Sequence, residues 1–244
     1  KKIKSLNEDF FGDDSTSTLE ALTDIFQEEF DVLQKRKEEL SKNGIQDKYI
    51  KKEITKIKKK LELLDENYPY IYLLFDVEYQ DNTNKNKLNT LTEMFEYFND
   101  ETDNGLLLVN YPMIESFKDY KKPAPDDSYS DKLIAIEDIR LYKEIVGKRG
   151  NIDKVAAFKL NEFEGIVFQN IKKLNLIING KYEVMNYNDF IKSIYDIELL
   201  KKEYKKIEES SSLYILCCAI FVYAIFLKKE YYNGIINTYS NNCV

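Results

Sequence analysis

The sequence predicts an α/β protein, a small and mainly parallel sheet carrying extensive helical additions. Residues 70–75, YIYLLF, form a short apolar run bounded by Pro69 and Asp76, the pattern of a strand buried on both faces. Leu88, Leu91, Phe95 and Phe98 follow at helical spacing. A turn at Asp103-Asn104-Gly105 then leads into a second apolar run, residues 106–109. Strand, helix and strand in that order set the two strands parallel and adjacent, with both C-terminal ends on one edge.

Around this unit the chain reads as mostly helical. Residues 1–14 are polar and acidic and show no period. Ser15 or Ser17 can cap a helix over about 18–40, with Leu19, Leu22, Ile25, Phe26, Phe30 and Leu33 on one stripe. Asn43-Gly44 stops it, and a second helix over about 47–64 carries Ile50, Ile54, Ile57, Leu61 and Leu64. Residues 1–67 are thus expected to be a helical hairpin, an appendage or an insertion, and residues 68–244 an α/β core with C-terminal helices. The second helix also holds the densest basic run, KKEITKIKKK at 51–60, which can follow a phosphate backbone or serve as a solvated face.

Beyond the second strand, KKPAPDDSYSDK at 121–132 is a surface loop. Helices are expected at about 133–147 and 154–175, the latter with Leu160, Phe163, Val167, Asn170 and Leu174 on a stripe. Asn179-Gly180 suits either a hairpin turn or a helix end. Asn188 can cap the next helix, and residues 198–209 are amphipathic. The run from Leu213 to Leu227 has fifteen residues without a charge, short of the ~20 that cross a bilayer. It is expected to be a buried helix, with no membrane contact.

Composition narrows the chemistry. The protein has 43 acidic and 36 basic residues, a net charge of −7 and an isoelectric point near 5.0, so a polyanion must meet a local basic patch or metal ions that screen the carboxylates. There is no histidine, which excludes Ser/His/Asp and Cys/His catalysis and His-rich metal sites. Cys217, Cys218 and Cys243 suit buried, inert thiols in a reducing cytoplasm. No signal-peptide pattern follows Lys1.

What remains is carboxylate chemistry with a hard cation. Asp76 follows the first strand directly, Glu78 lies two residues on, where an extended chain faces the same way, and Asp81 comes soon after. The second strand delivers Asn110 to the same edge, with Glu115 in the next turn. Such oxygen ligands suit Mg2+ or Mn2+, which activate water and stabilise a phosphoryl transition state. The competing explanation is that Asp and Asn after strands are ordinary turn formers and helix caps.

FDVEYQD after a strand, then a helix, a strand and NYPMIESF, resembles the acidic segment and the later Asn-Pro-x-x-Glu motif of TOPRIM-like nucleases, nearest to the RloB and AbiL effectors of the overcoming-lysogenization-defect group. The resemblance covers residues 70–117. It implies a Rossmann-like, TOPRIM-like sheet and Mg2+-dependent cleavage of nucleic acid in bacterial defence against phage, beside a partner ATPase; a homo-oligomer is a separate expectation. Asp76 and Glu78 match the acidic pair, catalytic and metal-binding with Asp81 beside them; Asn110, Pro112 and Glu115 match the later motif, Asn110 as a cofactor contact and Glu115 as a catalytic group. Glu78 stands where the family has a second Asp, and Tyr111 separates Asn110 from Pro112. Residues 1–69 show no strand with the family's acid-base Glu. The alternative is a non-catalytic binding or regulatory subunit acting through its helices.

Overall fold

The structure is a computed structural model, and it describes residues 18–43, 47–64, 69–77, 87–102, 105–120, 129–149 and 159–240. The chain divides into two compact units, Lys1–Ile71 with Asp100–Gly105, and Tyr72–Asn99 with Leu106–Val244.

The first unit holds α1 (Thr18–Lys42) and α2 (Lys48–Leu64), which pack against each other. Asp47 starts α2: its Oδ1 accepts from the amides of Tyr49 at 2.8 Å and Ile50 at 3.2 Å, satisfying donors that a first helical turn leaves open. Ile50, Ile54 and Ile57 are buried on one stripe, and the Lys60 ammonium lies 4.5 Å from the centre of the Phe26 ring. The cap expected at Ser15 or Ser17 falls outside the described residues.

The α/β expectation holds in its coarser form, a mixed α/β protein with a small sheet and many helices. Strand β1 (Tyr72–Asp76), helix α3 (Lys87–Tyr97), the short β2 (Asn99–Asp100) and β3 (Gly105–Asn110) follow in sequence, and the sheet order is β1-β3-β2. β1 and β3 are parallel, in register from Tyr72 opposite Leu106 to Asp76 opposite Asn110. Every residue of the central strand β3 is buried. The expectation that residues 70–75 are buried on both faces is corrected: β1 is an edge strand, and Leu74 is 46% exposed.

Two expected helices are also corrected. Residues 133–147 begin as β4 (Leu133–Ala135), continue as a 3-10 turn (Ile136–Leu141) and become helical only at α4 (Tyr142–Arg149). β4 pairs antiparallel with β5 (Ser212–Tyr214), so a partner remote in sequence overrides the local helical period. The run from Leu213 to Leu227 is accordingly not one buried helix. It starts in β5, and Leu216 exchanges two 2.8 Å backbone hydrogen bonds with Tyr111, prolonging the line of β3. Only α8 (Phe221–Phe226) within it is helical. No helix among the described residues is long and apolar enough to cross a membrane.

The remaining helices enclose the core. α5 (Leu160–Asn179) ends at Gly180, which takes the left-handed φ of +74° while its amide binds the Leu176 carbonyl at 2.9 Å, so Asn179-Gly180 is a helix end. α6 (Tyr187–Tyr195) is capped by Asn186, two residues before the expected Asn188; the Asn186 side chain accepts from the Asp189 amide at 3.0 Å. α7 (Glu198–Ser210) and α9 (Lys228–Ser240) complete the set. The Phe190 ring lies 5.3 Å from that of Phe221 and 4.8 Å from that of Tyr232, centre to centre, tying α6, α8 and α9 together.

Candidate functional site

The parallel register places Asp76 and Asn110 side by side where β1 and β3 end. Asn110 is buried and its amide is fully engaged. Nδ2 donates to the Phe75 carbonyl at 3.3 Å and to Asp76 Oδ1 at 3.1 Å, while Oδ1 accepts from the Ala219 amide at 2.9 Å. Asp76 Oδ1 also accepts from the Ile114 amide at 2.8 Å. That bond fastens the chain leaving β3, and the 3-10 turn Ile114–Asp119 begins there. One carboxylate oxygen of Asp76 is thus structural, and the exposed side chain leaves Oδ2 without a hydrogen-bond partner among the described residues.

Glu115 is the next residue of the turn. Its Oε1 lies 2.7 Å from the Lys143 ammonium, carried by α4, which packs against the turn. Burial works against the Glu115 carboxylate, but the hydrogen bond from Lys143, a backbone amide and the charges of Lys143 and Lys118 outweigh it and hold the carboxyl below its usual range. Lys143 is raised in turn, first by the hydrogen bond and charge of Glu115 and also by the charge of Asp76. Its ammonium therefore feels both carboxylates. Sequence reasoning missed Lys143, which looks like one of many exposed helical lysines until the fold brings α4 to the turn.

The structure thus brings Asp76 and Asn110 together with the start of the Glu115 turn; Glu78 and Asp81 lie outside the described residues. Among the described residues, no group of three Asp, Glu, Cys or His side chains could hold a metal ion. Two carboxylates, Asp76 and Glu115, remain as hard oxygen donors. Oxygen donors of this type are the kind that Mg2+ takes, commonly through one or two carboxylates with several waters. Beside the edge lies an apolar cavity of about 430 Å³, walled by Leu74, Ile114, Phe117, Phe163, Cys217 and Tyr223 among others. Cys217 and Cys218 are buried free thiols, and burial pushes Cys217 up to about 11, leaving it a poor nucleophile at neutral pH.

A second polar cluster, unforeseen in the sequence, is largely interior. Lys173 on α5 is fully buried and donates to three carbonyls, of Tyr129 at 3.0 Å, Ser130 at 2.5 Å and Lys132 at 2.9 Å. Lys132 binds the Asp119 carbonyl, and the Tyr142 hydroxyl donates to Asp119 Oδ2 at 2.6 Å. Glu203 on α7 is buried too. Its Oε2 accepts from the Tyr214 amide at 3.0 Å, whereas Oε1 and the Tyr111 hydroxyl have no hydrogen-bond partner among the described residues. Burial pushes Lys173 down to about 7 and Glu203 up to about 8.

Because Glu203 is raised in the folded state, the native protein keeps a proton that the unfolded chain releases near pH 4.5. Its contribution is fully present below that pH and is lost as pH rises through about 8. Lys173, lowered in the folded state, acts in the opposite direction above pH 7. Between pH 5 and 7 the Glu203 effect dominates the pair. Urea unfolding of the wild type should lose ~2 kcal/mol over that interval relative to Glu203→Gln, which cannot ionise. Equal pH profiles for the two proteins would show that Glu203 is ionised in the fold.

No family model matches the chain, and no curated protein or solved structure matches it at a significant level.

Proposed function

We propose that the edge where β1 and β3 end is the centre of a metal-dependent nuclease with a TOPRIM-like sheet, an effector of the RloB and AbiL kind that acts in phage defence beside an ATPase. The observation that carries this reading is the convergence of Asp76, Asn110 and the Glu115 turn on one strand edge, with Lys143 among the carboxylates. Asp76 and Glu115 would hold Mg2+ or Mn2+, with Glu78 and Asp81 of the following segment as further carboxylates. The bound cation supplies an activated water and neutralises charge on the phosphate. Asn110 acts by orienting Asp76, since its amide is committed to the backbone and to Asp76 itself. Lys143, paired with Glu115 at 2.7 Å, would offer its ammonium to a phosphate oxygen.

A second reading is favoured by one specific feature. Asp76 anchors the Ile114 amide and Glu115 is neutralised by Lys143, so both carboxylates also have structural partners. On that reading the protein is a non-catalytic binding or regulatory subunit. Incubation with labelled single- and double-stranded DNA and RNA separates the two. The nuclease reading expects cleavage with Mn2+ or Mg2+ that chelation by EDTA stops. Intact substrates with both metals, together with no calorimetric Mn2+ uptake, would leave the subunit reading.

A further inference from the structure

The strongest unassigned feature is the outer face of α2. The helix carries seven lysines against two glutamates, a net of +5 in a chain whose total is −7. Ile50, Ile54 and Ile57 fix its buried side. At 100° per residue, Lys48, Lys52 and Lys59 project from the opposite side within about 40° of one another, and all three are exposed.

Among the described residues these three are also unpaired. The ion pairs within α2 are Lys56 with Glu53 at 2.6 Å and Lys58 with Glu62 at 4.0 Å, which consume both glutamates. Lys48, Lys52 and Lys59 make no ion pair or hydrogen bond among the described residues. A helix face built only for solubility mixes both signs at i,i+4 spacing; this one leaves a ridge of a single sign. From Lys48 to Lys59 the ridge is about 16 Å long, the rise of roughly five nucleotide steps. Tyr49 flanks it at the start of the helix and is 69% exposed, a flat ring open for stacking.

We propose that this face of α2, Lys48, Lys52 and Lys59 with Tyr49, is a binding surface for the sugar-phosphate backbone of single-stranded nucleic acid. The lysines neutralise phosphates and Tyr49 stacks on an unpaired base. Contacts from the lysines to phosphates carry no sequence information, so recognition is expected to be largely independent of sequence. A net charge of −7 disfavours a polyanion on average, and a concentrated basic ridge offsets that locally. The inference goes beyond the cleavage reading and holds for a nuclease or a binding subunit alike.

The test is fluorescence anisotropy with the full chain and labelled 20-nucleotide single strands of DNA and of RNA, in EDTA so that no metal-dependent step contributes. Saturable binding is expected, with log affinity falling against log salt at a slope of about −2, as three phosphate contacts on a single strand give. The triple substitution K48E/K52E/K59E should weaken binding at least ten-fold and flatten the slope, with the helical circular dichroism retained. Lys201→Gln with Lys205→Gln, on the exposed side of α7, should leave it unchanged. Tyr49→Ala should weaken single strands several-fold and duplexes less. The DNA and RNA arms tell which backbone is preferred. No saturable binding at 50 mM salt, a triple variant equal to wild type, or displacement of the strands by anionic phospholipid vesicles would overturn the proposal.

Discussion

Lys173→Met is expected to destabilise the larger unit by ~3–5 kcal/mol, the range found when one partner of a buried charged arrangement is removed. The Lys173 ammonium is the donor for the carbonyls of Tyr129, Ser130 and Lys132, and methionine leaves all three without it. The carbonyls of Tyr129 and Lys132 keep long bonds from the amides of Lys132 at 3.4 Å and Ile215 at 3.3 Å, so the loss falls hardest on Ser130, at about 1–3 kcal/mol for a buried acceptor left unmade. The consequence reaches further, because Lys132 binds Asp119 and Asp119 receives the Tyr142 hydroxyl, so the 3-10 turn that carries Glu115 and the start of α4 are tied to the same segment. At pH 6, where Lys173 is charged, urea or thermal unfolding measures the effect, and the melting temperature should fall by ~10 °C. Lys172→Met, which removes an ammonium lying 4.3 Å from the Tyr182 ring and 5.9 Å from the Phe168 ring, should cost less than about 1 kcal/mol. A Lys173 variant as stable as the Lys172 variant would show that the three carbonyls have no need of the ammonium.

The strand-helix-strand unit was legible in the sequence because its signals are local. Tyr72–Asp76 and Gly105–Asn110 are apolar runs closed by turn-forming residues, and α3 keeps one phase from Leu88 to Phe98. The crossover rule then placed Asp76 and Asn110 on one edge. β4 and β5 were not legible. Leu133–Ala135 sits in a stretch whose spacing also satisfies a helix, and its partner Ser212–Tyr214 begins an apolar run that reads as helical by length. Only the pairing itself distinguishes strand from helix there.

The site shows the same division. Asp76, Asn110 and Glu115 could be named from their positions after strands, but their bonds could not. Nothing in the local sequence says that the Asn110 amide is spent on Phe75, Asp76 and Ala219, or that Lys143 reaches Glu115 from α4. Lys173 and Glu203 were hidden for a related reason. A lysine or glutamate in an amphipathic helix is normally on the wet side, and here tertiary partners draw both inside. Glu78 and Asp81 lie outside the described residues.

Asp76 concentrates the functional account in one carboxylate. Oδ1 holds the Ile114 amide and the Asn110 side chain, and Oδ2 makes no hydrogen bond among the described residues. Asp76→Asn keeps an acceptor for Ile114 and removes the negative charge, so it separates the two duties of the residue. Loss of one charged metal donor is expected to lower metal-dependent cleavage by at least about 10²-fold, the scale of removing one preorganised electrostatic contact at a reacting centre. Asp76→Ala should do the same and also loosen the Ile114 turn, lowering stability by ~1–2 kcal/mol through the lost cap. The direct measurement is the rate at which wild type and Asp76→Asn cut a labelled single strand in Mn2+, side by side and at equal folded concentration. The account predicts metal-dependent cutting by the wild type and a residual rate at least about 10²-fold lower in the variant. Cutting at the wild-type rate by Asp76→Asn, or none by the wild type, would contradict it.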